Sequence, residues 1–150
     1  MLLGNELDML RGDTQLEEPL HSKPNDPFNE FLNLIILGKY ASVGSKIRRV
    51  IKYIEKHYTK TIRLKDAAVL INVHPNYLSR KFKKEVGLSF HEYIIRSRIK
   101  KAVSLLAYTD KSLKEISYEV GYARPEVFTR TFKRFVRFSP RKFRKRFRYG

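Results

Sequence analysis

The sequence predicts an all-α fold of seven helices behind an extension of different composition, and three observations carry that expectation. From Ser45 onward apolar residues recur at helical spacing, and no segment shows the period-2 alternation of a strand. The stretch from 64 to 93 returns, at many matching positions, between 113 and 143. Charge is also split along the chain. Residues 1–45 hold 3 Lys/Arg against 7 Asp/Glu, a net −4, whereas residues 46–150 hold 29 against 8, a net +21. The expected organisation is therefore an N-terminal extension at 1–45 and a compact helical domain at 46–150.

In order along the chain, residues 1–27 combine acidic side chains, two glycines and three prolines without a sustained period, which reads as irregular or disordered. The apolar run at 28–37 (FNEFLNLIIL) is expected to be helical up to Gly38, docked on the domain or paired with a second copy in a homodimer. A joint around Ala41–Ser45 follows. Ile47, Val50, Ile51, Ile54 and Tyr58 then form one stripe of a helix ending near His57–Lys60. A short helix at 64–71 and a tight connection lead to a helix at 75–86, stopped by Gly87. Ser89 and Glu92 have capping-box spacing and open a long helix to about Ala107. Ser112 and Glu115 repeat that spacing before a short helix to Val120, ended by Gly121. A helix covers 125–136, and Ser139–Pro140 starts the last one with proline at its favoured first position.

The internal repeat is the strongest signal. At an offset of 50, Pro75 meets Pro125, Leu78 meets Phe128, Ser79 meets Thr129 and Arg80 meets Arg130. Phe82-Lys83-Lys84 meets Phe132-Lys133-Arg134, Ser89 meets Ser139, and Tyr93 meets Phe143. Upstream, Leu64-Lys65-Asp66 meets Leu113-Lys114-Glu115 at an offset of 49, so the second turn is one residue longer. Each unit (64–86 and 113–136) reads as a helix-turn-helix. In the helix 75–86, Leu78, Phe82 and Val86 share an inner stripe, while Asn76, Ser79, Arg80 and Lys83 share the opposite face. In the helix 125–136 the inner stripe is Phe128, Phe132 and Phe135, and Glu126, Thr129, Arg130 and Lys133 point out. A solvated amphipathic face is the plainer reading of one such helix. Two copies with Arg in the same register, inside a segment of net +21, favour a surface for duplex DNA. Arg matches guanine O6 and N7 in bidentate fashion, and Asn does the same for adenine. A linker helix at 90–107, about 18 residues at ~1.5 Å each, rises roughly 27 Å against ~34 Å for one turn of B-DNA.

Other chemistries find little support. An apolar share of 42% suffices for a core, and the absence of cysteine removes disulfides, thiolate nucleophiles and Cys-ligated zinc. The N-terminus is acidic where a signal peptide needs basic residues, and no apolar run is long enough to span a membrane. His21, His57, His74 and His91 lack ligand spacing, and there is no Gly-rich phosphate loop or nucleophile–base pair, so neither an enzyme nor a cofactor is expected. The chain ends in Arg141, Lys142, Arg144, Lys145, Arg146 and Arg148, interleaved with Phe143, Phe147 and Tyr149. Phe143 and Phe147, four apart, are expected to pack the last helix on the core while the cations meet phosphate; base stacking on a single strand is the alternative.

The stretch from about 46 to 148 resembles the AraC/XylS family of bacterial transcription regulators. The carrying residues are YIEKHY (53–58), LKDAA (64–68), HPNYLSRKFKKEVGLSFHEYI (74–94), Arg98 with KAVSLL (101–106), IxxEVGY (116–122), PEVFTRTFKR (125–134) and Ser139-Pro140. The resemblance implies sequence-specific binding of double-stranded promoter DNA in the bacterial cytoplasm, on the nucleoid, and usually activation through contact with RNA polymerase. It implies Asn76, Ser79, Arg80, Glu126, Thr129 and Arg130 as base readers. Phosphate contacts are expected from Lys83, Lys84, Lys133, Arg134, Arg137, Arg141 and Lys142. Residues 1–45 are too short to hold the sensing domain of many members. Four positions depart from the family pattern: Arg63 replaces a Ser/Thr cap, Phe90 a proline, Arg137 a glycine, and Glu126 puts an acid on a DNA-facing surface. A nonspecific nucleic-acid-binding or RNA-binding basic protein is the alternative function.

Overall fold

The helical spacing that starts at Ser45 is realised in the computed structural model, which describes residues 43–148. Seven helices and no strand occur among the described residues: α1 (Ser45–His57), α2 (Leu64–Leu70), α3 (Pro75–Val86), α4 (Phe90–Tyr108), α5 (Leu113–Glu119), α6 (Pro125–Val136) and α7 (Pro140–Phe147). The expected irregular segment at 1–27 and the expected helix at 28–37 lie outside the described residues.

The sequence repeat is also a repeat of packing. In the first unit Phe82 of α3 meets Tyr93 of α4 edge-on, with centroids 5.7 Å apart and planes at 82°. Fifty residues on, Phe132 of α6 meets Phe143 of α7 at 5.8 Å and 76°. All four rings are fully buried. Such edge-to-face pairs put a ring's positive edge against its neighbour's negative face, worth about 0.5–1.5 kcal/mol beyond burial. Each unit thus closes its second helix against the helix that follows. α4 is that following helix for the first unit, and it also packs against α5, α6 and α7 of the second. This double duty explains why its buried residues (Tyr93, Ile94, Ile99, Val103 and Leu106 among them) do not form one narrow stripe.

Helix ends show where sequence and structure agree and where they part. Ser112 and Glu115 form the complete capping box of α5, and the backbone hydrogen bond from Ser112 holds the Glu115 carboxyl below its usual range. Ser89 supplies only half of one. Its hydroxyl accepts from the Glu92 amide, while the Glu92 carboxylate is drawn instead to Arg96, one turn on, at 2.8 Å. Arg63 leaves α2 without a side-chain cap, as its chemistry predicts. Gly44, which has no side chain to cap α1, donates its amide to Glu85 Oε1 of α3 at 2.9 Å. The turns use left-handed residues: Gly121 (φ 104) in the second unit, and Asn72 (φ 55) at the same place in the first. Asparagine tolerates that region better than most residues.

Phe135 is a correction to the expected inner stripe of α6. Val136 is the buried residue, and Phe135 is half-exposed beneath two arginines. Four residues beyond Phe132 come closer to its own azimuth on the helix than three, as Val86 does beyond Phe82.

Two stability predictions follow from the unequal copies. Arg137 sits at φ 72, where its counterpart Gly87 has φ 84. Arg137→Gly removes about 1–2 kcal/mol of left-handed strain and returns roughly 0.4–1 kcal/mol through the freer unfolded chain. A net gain of about 0.5–1 kcal/mol is expected in urea unfolding. Ser117 is fully buried and its hydroxyl has no hydrogen-bond partner, whereas the matching residue of the first unit is buried Ala68. Ser117→Ala should raise unfolding stability by about 1 kcal/mol, since an orphaned buried hydroxyl costs about 1–3 kcal/mol.

Candidate nucleic-acid interface

Proline at the first position fixes φ for the start of both α3 and α6. The caps differ. His74 Nδ1 accepts from the Asn76 amide at 3.1 Å and closes the N-terminus of α3, a role its scattered position in the sequence did not suggest. Arg124 offers α6 no such bond. Leu78, Phe82 and Val86 anchor α3, and Phe128, Phe132 and Val136 anchor α6. Helical geometry then turns Asn76, Ser79 and Arg80 outward on one helix and Glu126, Thr129 and Arg130 outward on the other, and all six are exposed. Glu126 has Arg124 at 4.0 Å, with both side chains largely in solvent, so the acid adds little net charge to its surroundings.

Lys83, Lys84, Lys133, Arg134, Arg137, Arg141 and Lys142 are likewise exposed. They are not equivalent. Lys83 Nζ donates to the Gly87 carbonyl at 3.2 Å and helps close the C-terminus of α3. Arg134 lies over the Phe135 ring, 4.7 Å from its centroid, with Arg96 of α4 5.0 Å from the same ring. Lys133, Arg137 and Lys142 line, with Phe138 and Ser139, an open hollow of about 350 Å³ at the junction of α6 and α7. Three cations and the start of α7 there favour an anion. The same positions in the first unit carry Lys83, Gly87 and Glu92, one cation and one acid. The hollow belongs to the second unit by composition.

The terminal cations divide in the same way. Phe143 and Phe147 are buried, so neither ring is offered to a base, and Arg144 turns inward to the carbonyls of Leu106 and Thr109 at 3.2 and 3.3 Å. Arg148 pairs with Asp110. No helix among the described residues is long and apolar enough to cross a membrane, and no group of three candidate metal ligands occurs among them.

Two helix-turn-helix units, each presenting a polar and basic helix face, define a DNA-binding domain. Comparison with known proteins agrees. A family profile described as a helix-turn-helix domain matches residues 67–146. The Msm operon regulatory protein of Streptococcus mutans is 35% identical over 105 residues, covering 70% of this chain and 38% of that protein. Among solved structures, the C-terminal domain of AraT, a response regulator from Geobacillus stearothermophilus, has a TM-score of 0.70 and 33% identity, over 73% of this chain and 92% of that one. The DNA-binding domain of AdpA, solved in complex with a target DNA, shares the fold at a TM-score of 0.64 and 20% identity, over 68% and 92%. The chain belongs to the AraC/XylS-type helix-turn-helix family and carries the DNA-binding domain of a transcription regulator. It spans between 13% and 38% of the length of the first curated relatives it matches.

The hollow yields a measurable asymmetry. Lys142→Glu, which installs the first unit's residue, should weaken binding to every duplex and lower the salt slope of log K by about 1–2. Titrations of duplex at several salt concentrations read this out. An unchanged slope would remove the hollow from the phosphate contacts.

Proposed function

We propose that this chain is a sequence-specific transcription regulator that lays α3 and α6 into successive major grooves on one side of a duplex. The observation that carries this reading is the pair of exposed helix faces in matching register, joined by one 19-residue helix. At ~1.5 Å per residue, α4 rises about 28 Å, near the ~34 Å pitch of B-DNA. One chain thereby reaches two grooves without a partner copy. Asn76, Ser79 and Arg80 read bases in the first groove, and Glu126, Thr129 and Arg130 in the second, where Glu126 accepts from cytosine N4. Lys83, Lys84, Lys133, Arg134, Arg137, Arg141 and Lys142 hold phosphates. The second unit contributes more grip than choice, and the site is non-palindromic, about two helical turns long.

Membership of the family supports activation through contact with RNA polymerase and a bacterial cytoplasmic setting on the nucleoid. On this reading residues 46–150 are the DNA-binding domain, and residues 1–45 an extension whose apolar run at 28–37 docks on that domain or pairs with a second copy. The DNA-binding domain of AdpA, which shares the fold and was solved with a target DNA, lends support to DNA as the partner.

Selection of bound sequences from random duplexes, followed by competition binding, tests the reading. The selected site should bind at least about a thousandfold tighter than random duplex at moderate salt. Equal competition by random DNA or by RNA would leave a nonspecific nucleic-acid-binding protein instead. On the selected site, Arg80→Ala should relax preference at one or two base pairs at a cost of about 1–3 kcal/mol. Lys83→Ala should weaken all duplexes alike. A reversed pattern would exchange their roles.

A further inference from the structure

The two units touch each other directly, away from either reading helix. The loop after α1 belongs to the first unit, and the turn between α5 and α6 to the second. A Cβ on Gly121 of that turn would stand 2.9 Å from the Thr59 carbonyl oxygen of that loop, and 3.0 Å from Arg98 Nε. Arg98 projects from α4 between them. Its Nε donates to the Tyr58 carbonyl at 2.6 Å and its Nη2 to the Lys60 carbonyl at 3.0 Å, while its guanidinium lies 5.4 Å from the Tyr122 ring centroid. Burial, and then the nearby Glu119 of α5, raises the Tyr58 phenol, so charges of the second unit are felt in the first.

We infer that Arg98 is a positioning residue that locks the loop at 58–60 to the turn at 120–122, and thereby sets the spacing of the two DNA half-sites the chain accepts. The inference rests on the two-groove reading above. α4 alone fixes how far apart the units are, but a helix packed along one side leaves the second unit free to tilt about it. A second point of attachment removes that freedom. Arg98 suits the task because its planar fork addresses two carbonyls at once, while its face rests on a ring from the other unit. Fifty residues on, Arg148 also reaches the preceding loop but meets the Asp110 side chain. Arg144 of α7 makes the same two-carbonyl fork, to Leu106 and Thr109, whereas the fork of Arg98 also meets a ring of the other unit. Gly121 is the complementary half, since any side chain there meets backbone.

The chain has no cysteine, so labels can be placed at will. In the full 150-residue chain, Lys65→Cys on α2 and Lys114→Cys on α5 put spin labels on exposed positions of the two units. Pulsed dipolar spectroscopy should give a narrow distance distribution in the parent, and one at least about twice as broad in Arg98→Met. Helical circular dichroism checks that the variant is folded. Arg98→Lys, which keeps stem and charge but not the fork, is a second and milder variant and should also broaden the distribution. Equal widths in parent and variants overturn the inference whatever the DNA result.

The matching DNA measurement inserts one base pair between the halves of the selected site. Parent affinity should fall about tenfold or more and that of Arg98→Met about threefold or less, with affinity for an isolated half-site unchanged. A variant that keeps the parent's spacing penalty overturns the role assigned to Arg98. A parent that ignores the insertion overturns the two-groove reading, and the spacing role with it, while the label distances still report on the contact itself.

Discussion

α4 has to serve two cores with one set of side chains. Its N-terminal turns carry Phe90 and Tyr93 against Phe82 of α3, its C-terminal turns bury Ala102, Val103 and Leu106, and the helix packs against α5, α6 and α7 of the second unit. A helix with one apolar stripe could close only one of these. The cost is that α4 has little solvent-facing polar surface, so its polar groups must be satisfied locally. Ser97 returns its hydroxyl to the Tyr93 carbonyl at 2.8 Å, Arg96 pairs with Glu92, and Arg98 spans two loop carbonyls. Burial pulls the Arg98 guanidinium below its ordinary value, a desolvation cost that those carbonyls offset. α3 and α6 inherit their separation from this one element.

Duplication explains the fold, and divergence within the duplication explains the unequal units. The first keeps Gly87 at its left-handed stop and gives α3 a histidine cap. The second accepts strain at Arg137 and goes without a side-chain cap at Arg124, yet gathers Lys133, Arg137 and Lys142 around one hollow. A strained residue at a basic hollow is the pattern expected when charge matters more at a position than backbone comfort. Conversely, Glu92 at the place of Lys142 gives the first unit an acid that Arg96 neutralises.

Much of the candidate interface was legible because its exposed residues obey the same helical period as the core they oppose. Once Leu78, Phe82 and Val86 are inside, Ser79 and Arg80 have nowhere to be but outside. Residues that act through the ends of elements were harder to see. His74 as a cap, Asn72 as the left-handed counterpart of Gly121, and Glu85 on the amide of Gly44 depend on local backbone direction or on partners forty residues away. The repeat held a partial signal, since Arg98 and Arg148 stand at the same offset of 50 as α3 and α6.

By itself the sequence determined seven helices, their two-unit organisation and the outward faces of α3 and α6. Those features follow from period, capping chemistry and duplication, each a property of residues near one another in the chain. Tertiary structure alone decided which side of α4 serves which unit, that Val136 rather than Phe135 is innermost, and that the Glu92 carboxylate abandons its capping box for Arg96. It also decided that Tyr58, Arg98 and Gly121 converge. These outcomes rest on competition among partners distant in sequence, and that competition is resolved only when the helices pack.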